Sequence, residues 1–176
     1  MSVAPPDTFR SVDRVGPDGS IETEQWAEAP HPVVTRTEQG GRALGSSYWR
    51  AVTRFGRGLV GARERADGVA VRLVVVQRPV LLQLGPPEVA IEGNRVACRY
   101  AIQGGLLARR PGGSLTLSQS GDGRAELRVA VHGFKPRLGA RTRPHWSGAL
   151  YHQLERRLHL AISRRWLHGL TQEGLR

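Results

Sequence analysis

A chain of 176 residues, 39% of them hydrophobic, is the size of one domain and can bury roughly two thirds of the surface its unfolded form exposes. Its single cysteine, Cys98, excludes an internal disulfide and a multi-cysteine metal centre, and no run reaches the 18 or so apolar residues of a membrane span. The net charge is +11, from 26 basic against 15 acidic residues, but 25 of the basic residues are arginine and only Lys135 is lysine; that bias fits a GC-rich genome and weakens the step from charge to a polyanionic partner.

The opening, MSVAPPDTFRSVD, lacks the basic and apolar regions of a secretion signal, so the expected location is cytoplasmic. Met1 to Pro6 is small and proline-rich and is expected to be disordered. Residues 1–46 hold four arginines against seven acids, net −3, and residues 47–176 hold 22 basic against eight acidic groups, net +14. The expected organisation is an extended, partly disordered acidic leader over 1–46 and a single domain over 47–176, with the leader able to lie on the basic body. Pro17-Asp18-Gly19 signals a turn, Pro30 and Pro32 break any helix, and a short strand is expected near Val33 to Thr37. Gly40-Gly41 and Gly45-Ser46-Ser47 read as loop punctuation before a short helix from Tyr48 to Phe55, capped by Ser46 or Ser47.

From Gly58 onward, short alternating strands follow one another. LVGARERA and VAVRLVVVQ flank Asp67-Gly68, a two-residue hairpin signal. VLLQL, Val80 to Leu84, ends at Gly85-Pro86-Pro87, and EVAIE and RVACRYAI then flank Gly93-Asn94. In the latter strand Val96, Cys98, Tyr100 and Ile102 share one face. Gly104 to Gly113 must turn, and SLTLSQS and RAELRVAVHGF are joined by Gly121-Asp122-Gly123; Leu127, Val129 and Val131 face inward there, opposite Arg128, Ala130 and His132. Lys135 to His145 is a basic link, with Pro144 suited to a helix start and Ser147 as the alternative cap.

The last long stretch, Ser147 to Leu170, places Leu150, Tyr151, Leu154, Leu158, Ala161, Ile162 and Trp166 on one helical stripe. A helix about 36 Å long needs a wide apolar surface to lie on. The expected fold is therefore α+β: a curved antiparallel sheet of about six or seven strands packed on a long C-terminal helix.

A short helical segment, a curved antiparallel meander and a long C-terminal helix, in that order over residues 46–170, resemble the helix-grip superfamily. That superfamily includes START-like lipid-transfer domains and the aromatase/cyclase proteins of polyketide pathways. The resemblance implies a cavity between sheet and helix for a bulky, mostly apolar molecule, and no particular reaction.

Several residues are candidates for chemistry. Glu155 and Arg165 interrupt the apolar stripe and would either line a pocket or reach solvent at its margin. His152, Glu155 and His159 have ligand-type side chains on adjacent turns, but their H-x2-E-x3-H spacing is not the zincin motif and three ordinary residues on a polar flank look the same; no metal and no cofactor is expected. Cys98, mid-strand among apolar residues, reads as a small core residue. No serine elbow, dinucleotide fingerprint or Walker loop is present. Tyr48, Trp49, Tyr100, His132, Phe134 and Trp166 are the candidate pocket-lining rings, and the expected ligand-binding set is Trp49, Tyr100, His132, Glu155, His159 and Trp166. Were the domain a cyclase-like enzyme, its acid and base would come from Glu155, His132, His152 and Tyr100. The leading expectation is a container for a small apolar or aromatic molecule. The alternative is a non-enzymatic module that sets Arg109, Arg110, Lys135, Arg137, Arg141, Arg143, Arg156, Arg157 and Arg164 against nucleic acid or another polyanion.

Overall fold

The computed structural model describes residues 9–56, 60–73, 80–108, 110–136 and 147–175, and of residues 147–158 the helical backbone alone. Two strands come first, β1 (Arg10–Val15) and β2 (Ile21–Ala29), followed by α1 (Glu38–Phe55). Seven strands then run in succession: β3 (Val60–Arg65), β4 (Gly68–Leu73), β5 (Val80–Leu84), β6 (Glu88–Glu92), β7 (Arg95–Gly104), β8 (Ser114–Ser120) and β9 (Ala125–Phe134). The long helix α2 (Ser147–Glu173) closes the order. All nine strands form one open antiparallel sheet in the order β1-β2-β9-β8-β7-β5-β4-β3, with β6 beside the first half of β7.

The sheet exceeds the expected six or seven strands because the leader supplies two. Strand β1 folds back on β2 through Pro17-Asp18-Gly19, where Gly19 takes a φ of 76° and Asp18 Oδ1 accepts from the Ser20 N–H at 3.0 Å. Strand β2 then pairs with β9 along nearly its whole length. The leader's acids meet basic partners in β9 and at its two ends: Glu24 lies 3.2 Å from Arg128, Glu28 lies 3.6 Å from Arg124, and Asp18 pairs with Lys135. Weak alternation hid β2 from a hydrophobicity reading, since its inward residues Thr23, Gln25, Ala27 and Ala29 are polar or small.

Helix α1 is ten residues longer at its start than the expected Tyr48–Phe55 segment. Its cap is Thr37, whose side chain accepts from the Gly40 N–H at 3.1 Å, with Glu38 placed favourably in the first turn. Ser46 and Ser47 lie inside the helix, and so does the expected division at residues 46 and 47. Glycines that resembled loop punctuation are packing devices here. A Cβ on Gly41 would come within 2.6 Å of Val89 Cγ1, and one on Gly45 within 2.3 Å of the Tyr100 hydroxyl and 2.8 Å of Cys98 Sγ. Each glycine gives up about 1 kcal/mol of helix propensity and lets the helix backbone settle directly on β6 and β7. Val33 to Thr37 is not a strand. The Val33 and Val34 N–H groups instead donate to Gln119 Oε1 at 2.7 and 3.0 Å, and Gln119 Nε2 donates to the Val34 carbonyl at 2.8 Å.

The pairing registers line up inward residues across the sheet. One row runs Tyr100, Leu115, Val131, Thr23, Asp13; the next runs Cys98, Leu117, Val129, Gln25, Ser11. Helix α1 covers the β7 end of these rows, and α2 covers the β2 end. In the second half of α2, Ile162, Ser163, Trp166, Leu167 and Leu170 are buried. Ala161, expected on the apolar stripe, is exposed. The buried face is centred one position further on and includes Ser163, which an apolar pattern passes over. The expected stripe positions Leu150, Tyr151, Leu154 and Leu158 lie outside the residues whose side chains are described.

Candidate functional site

Where α1 meets α2, four aromatic rings form a continuous edge-to-face row. Trp166 stands 5.4 Å from Tyr48, Tyr48 stands 5.2 Å from Trp49, and Trp49 stands 5.3 Å from Tyr100, each pair nearly perpendicular. Such pairs contribute about 0.5–1.5 kcal/mol each beyond the area they bury. The row starts on α2, crosses α1 through adjacent residues and ends on β7, so it fastens both helices to one sheet face. The Trp166 indole donates to Ser47 Oγ at 3.0 Å, and the Ser47 hydroxyl donates to the Leu44 carbonyl at 2.7 Å.

A polar cluster adjoins this row under α2. The Tyr48 hydroxyl lies 3.4 Å from His159 Nδ1 and 3.4 Å from Ser163 Oγ. Burial pushes the Tyr48 phenol up to about 12, against the opposing effect of its Ser163 contact. Burial also lowers His159 to about 4, partly offset by the Asp13 carboxylate. Both groups are therefore neutral at pH 7. Three side-chain groups in this interior are buried without a hydrogen bond to protein: both amide atoms of Gln25, His159 Nε2 and Trp49 Nε1.

Gln25 and Gln119 make an instructive pair. Both project from the inner face of the sheet, at 0% and 1% exposure. Gln119 makes three hydrogen bonds to the chain leading into α1, whereas Gln25 makes none. A buried amide left without partners costs about 1–3 kcal/mol, so the two residues differ in kind: one is a staple, the other a buried amide lacking a protein partner.

At the other end of the rows, α1 and the β3–β4 hairpin border a half-open cleft of about 340 Å³. Pro86, Pro87 and Val69 give it an apolar wall, Arg42, Arg65 and Glu64 a charged rim, and Tyr100 lies at its base. Ser46 donates to Glu64 at 2.8 Å, and Arg42 pairs with Glu38 at 2.9 Å. Behind Tyr100 sits Cys98, whose thiol burial pushes up, which leaves it protonated and inert. Tyr100 is likewise raised, first by burial and then by its neighbour Cys98.

Of the expected ligand-binding residues, Trp49, Tyr100 and Trp166 belong to the aromatic row, and His159 joins it through Tyr48. His132 stands on the outer face of the sheet, 46% exposed and 3.8 Å from Glu24, away from the others. Glu155 and His152 lie outside the residues whose side chains are described. Phe134 is partly buried against the core, and Arg165 is exposed with its guanidinium 5.5 Å from the Phe55 ring centre. Gln25, Ser163 and Asp13 went unnoticed in the sequence because polar residues in a weakly alternating strand or on a helix flank carry no chemical signature. Among the described residues, no three His, Cys, Asp or Glu side chains converge as metal ligands.

Three of the residues considered for polyanion contact are described. Lys135 pairs with Asp18, Arg164 lies over the Phe9 ring at 5.5 Å, and Arg110 is exposed. Arg109, Arg137, Arg141, Arg143, Arg156 and Arg157 lie outside the described residues or side chains. Elsewhere Arg36, Arg99, Arg124 and Arg128 each face a carboxylate. Among the described residues, no helix is long and apolar enough to cross a membrane.

No family model and no curated protein matches the chain. Among solved structures, the crystal structure of CalU16 from Micromonospora echinospora is 13% identical, with 97% of this chain and 86% of that chain covered and a TM-score of 0.38. The crystal structure of Ara h 8.0201 is 14% identical, with 85% of this chain and 96% of that chain covered and a TM-score of 0.42.

Proposed function

We propose that this is a helix-grip-like domain that holds a small, mostly apolar or aromatic molecule between its sheet and α2, against the ring of Trp166 and the polar groups around Gln25. The observation that carries this reading is the fully buried Gln25 carboxamide, whose donor and acceptor both lack a protein partner. A guest with a complementary polar end would turn that penalty into binding specificity, because buried polar groups discriminate strongly between guests that satisfy them and guests that do not. The aromatic row supplies a rigid apolar wall beside it.

Arginine-rich contact with a polyanion has less support, since Arg36, Arg42, Arg99, Arg124 and Arg128 each pair with a carboxylate. The test is native mass spectrometry of gently isolated protein. Retention of a small molecule above the 19.3 kDa of the chain, released on denaturation, is the expected result. The bare polypeptide mass, together with salt-sensitive retention on heparin, would favour the polyanion reading instead.

A further inference from the structure

The surroundings of Gln25 restrict what a guest in that site can be, an inference that rests on the container reading above. On the floor, Asp13 and Thr23 stand opposite one another in register, and Gln25 is the next inward residue along β2, about 7 Å further on. From α2 comes His159, close enough to Asp13 to feel its carboxylate. Its Nδ1 faces the Tyr48 hydroxyl and its Nε2 is buried without a protein partner. With the phenol donating to Nδ1, the neutral imidazole carries its proton on Nε2 and offers a donor. Gln25 offers a second donor through its NH2 group and an acceptor through its carbonyl. Neither His159 nor Tyr48 carries charge at pH 7, so neither offers an anion a positive partner at this place.

We infer that the site beneath α2 selects an uncharged guest by hydrogen bonding: the guest's polar end presents an acceptor to His159 Nε2–H and the Gln25 NH2 group and a donor to Gln25 Oε1, as a carboxamide or a hydroxyl beside a carbonyl would, and a carboxylate of the same shape is rejected.

Isothermal titration calorimetry at pH 7 with naphthalene-2-carboxamide and naphthalene-2-carboxylate tests this. The wild-type protein is expected to bind the carboxamide at least about tenfold more tightly, the scale on which a site with buried hydrogen-bonding groups rejects a mismatched analogue. In Gln25→Leu, with folding confirmed by an unchanged circular dichroism spectrum, that preference should shrink to about threefold or less, because the amide donor and acceptor are gone. His159→Phe, a second variant at a separate position, should reduce it as well. Equal affinity for the two probes, tighter carboxylate binding, or a preference untouched in both variants would overturn the selection of an uncharged guest while leaving the container reading intact. No binding of either probe would overturn it too, and a native mass spectrum without adduct would then remove the container reading as well.

Discussion

The same two inward rows of the sheet are covered in opposite ways at their two ends. At β7, α1 lies on Tyr100 and Cys98 through Gly45 and on Val89 through Gly41, so closely that a single methyl group has no place to go. At β2, roughly three strand spacings or about 14 Å away, α2 lies over Thr23 and Gln25 with His159 and Ser163 on its buried side, and polar atoms there lack protein partners. One end is closed by direct contact; the other keeps buried polar atoms without protein partners, where the proposed guest would bind. A sheet and helix that must merely be stable would place apolar residues at both ends, as β8 does with Leu115 and Leu117.

Removing the bridge between the two ends should have the largest effect. Trp166→Ala deletes the ring that meets Tyr48 and leaves Ser47 without its indole donor, and is expected to cost about 3–5 kcal/mol in chemical denaturation. Acid should act on the β2 end through His159. The His159 imidazole titrates near 6.5 when unfolded and about 4 when folded, so between those pH values the unfolded chain binds the additional proton. Its contribution is fully present above pH 6.5, falls as pH drops, and is lost below 4; the difference is about 3 kcal/mol at most and should vanish from the stability–pH profile of His159→Phe.

Gly45→Ala probes the β7 end. Alanine gains about 1 kcal/mol of helix propensity, but its methyl meets the rigid Tyr100 and Cys98, and overpacking of that kind costs about 1–3 kcal/mol. A net loss of up to about 2 kcal/mol, seen as a melting point lower by at most roughly 4–8 °C, is expected. The smallest effect has the opposite sign: Gln25→Leu should stabilise the ligand-free protein by about 1 kcal/mol, because it replaces an unpaired buried amide by an apolar group of similar size. A loss of stability in that variant would mean that the two ends of the rows are built alike.

The sequence makes the meander legible because its hairpins carry their own signals: Gly93-Asn94 joins Glu92 and Arg95, which pair directly. Residues Val96, Cys98, Tyr100 and Ile102 are all buried, as their alternation requires. What alternation could not show was use of the same residue type for two purposes. Glycine at positions 41 and 45 breaks helices by propensity but is required here by proximity, which only the tertiary contact reveals. Trp49, Tyr100 and Trp166 were legible as ring-bearing candidates, and His159 as a ligand-type side chain on a polar flank of the last helix. Gln25 was not, because a polar residue in a strand reads as solvent-facing unless its partner strand is known, and that partner, β9, lies about 100 residues later.

The most direct measurement is the nitrogen–proton correlation spectrum of the wild-type protein as naphthalene-2-carboxamide is added. The Gln25 side-chain amide and the Trp166 indole should shift together, while the Trp49 indole at the α1 end stays in place. Movement of Trp49 with an unchanged Gln25 would place the guest in the Tyr100 cleft and contradict the account.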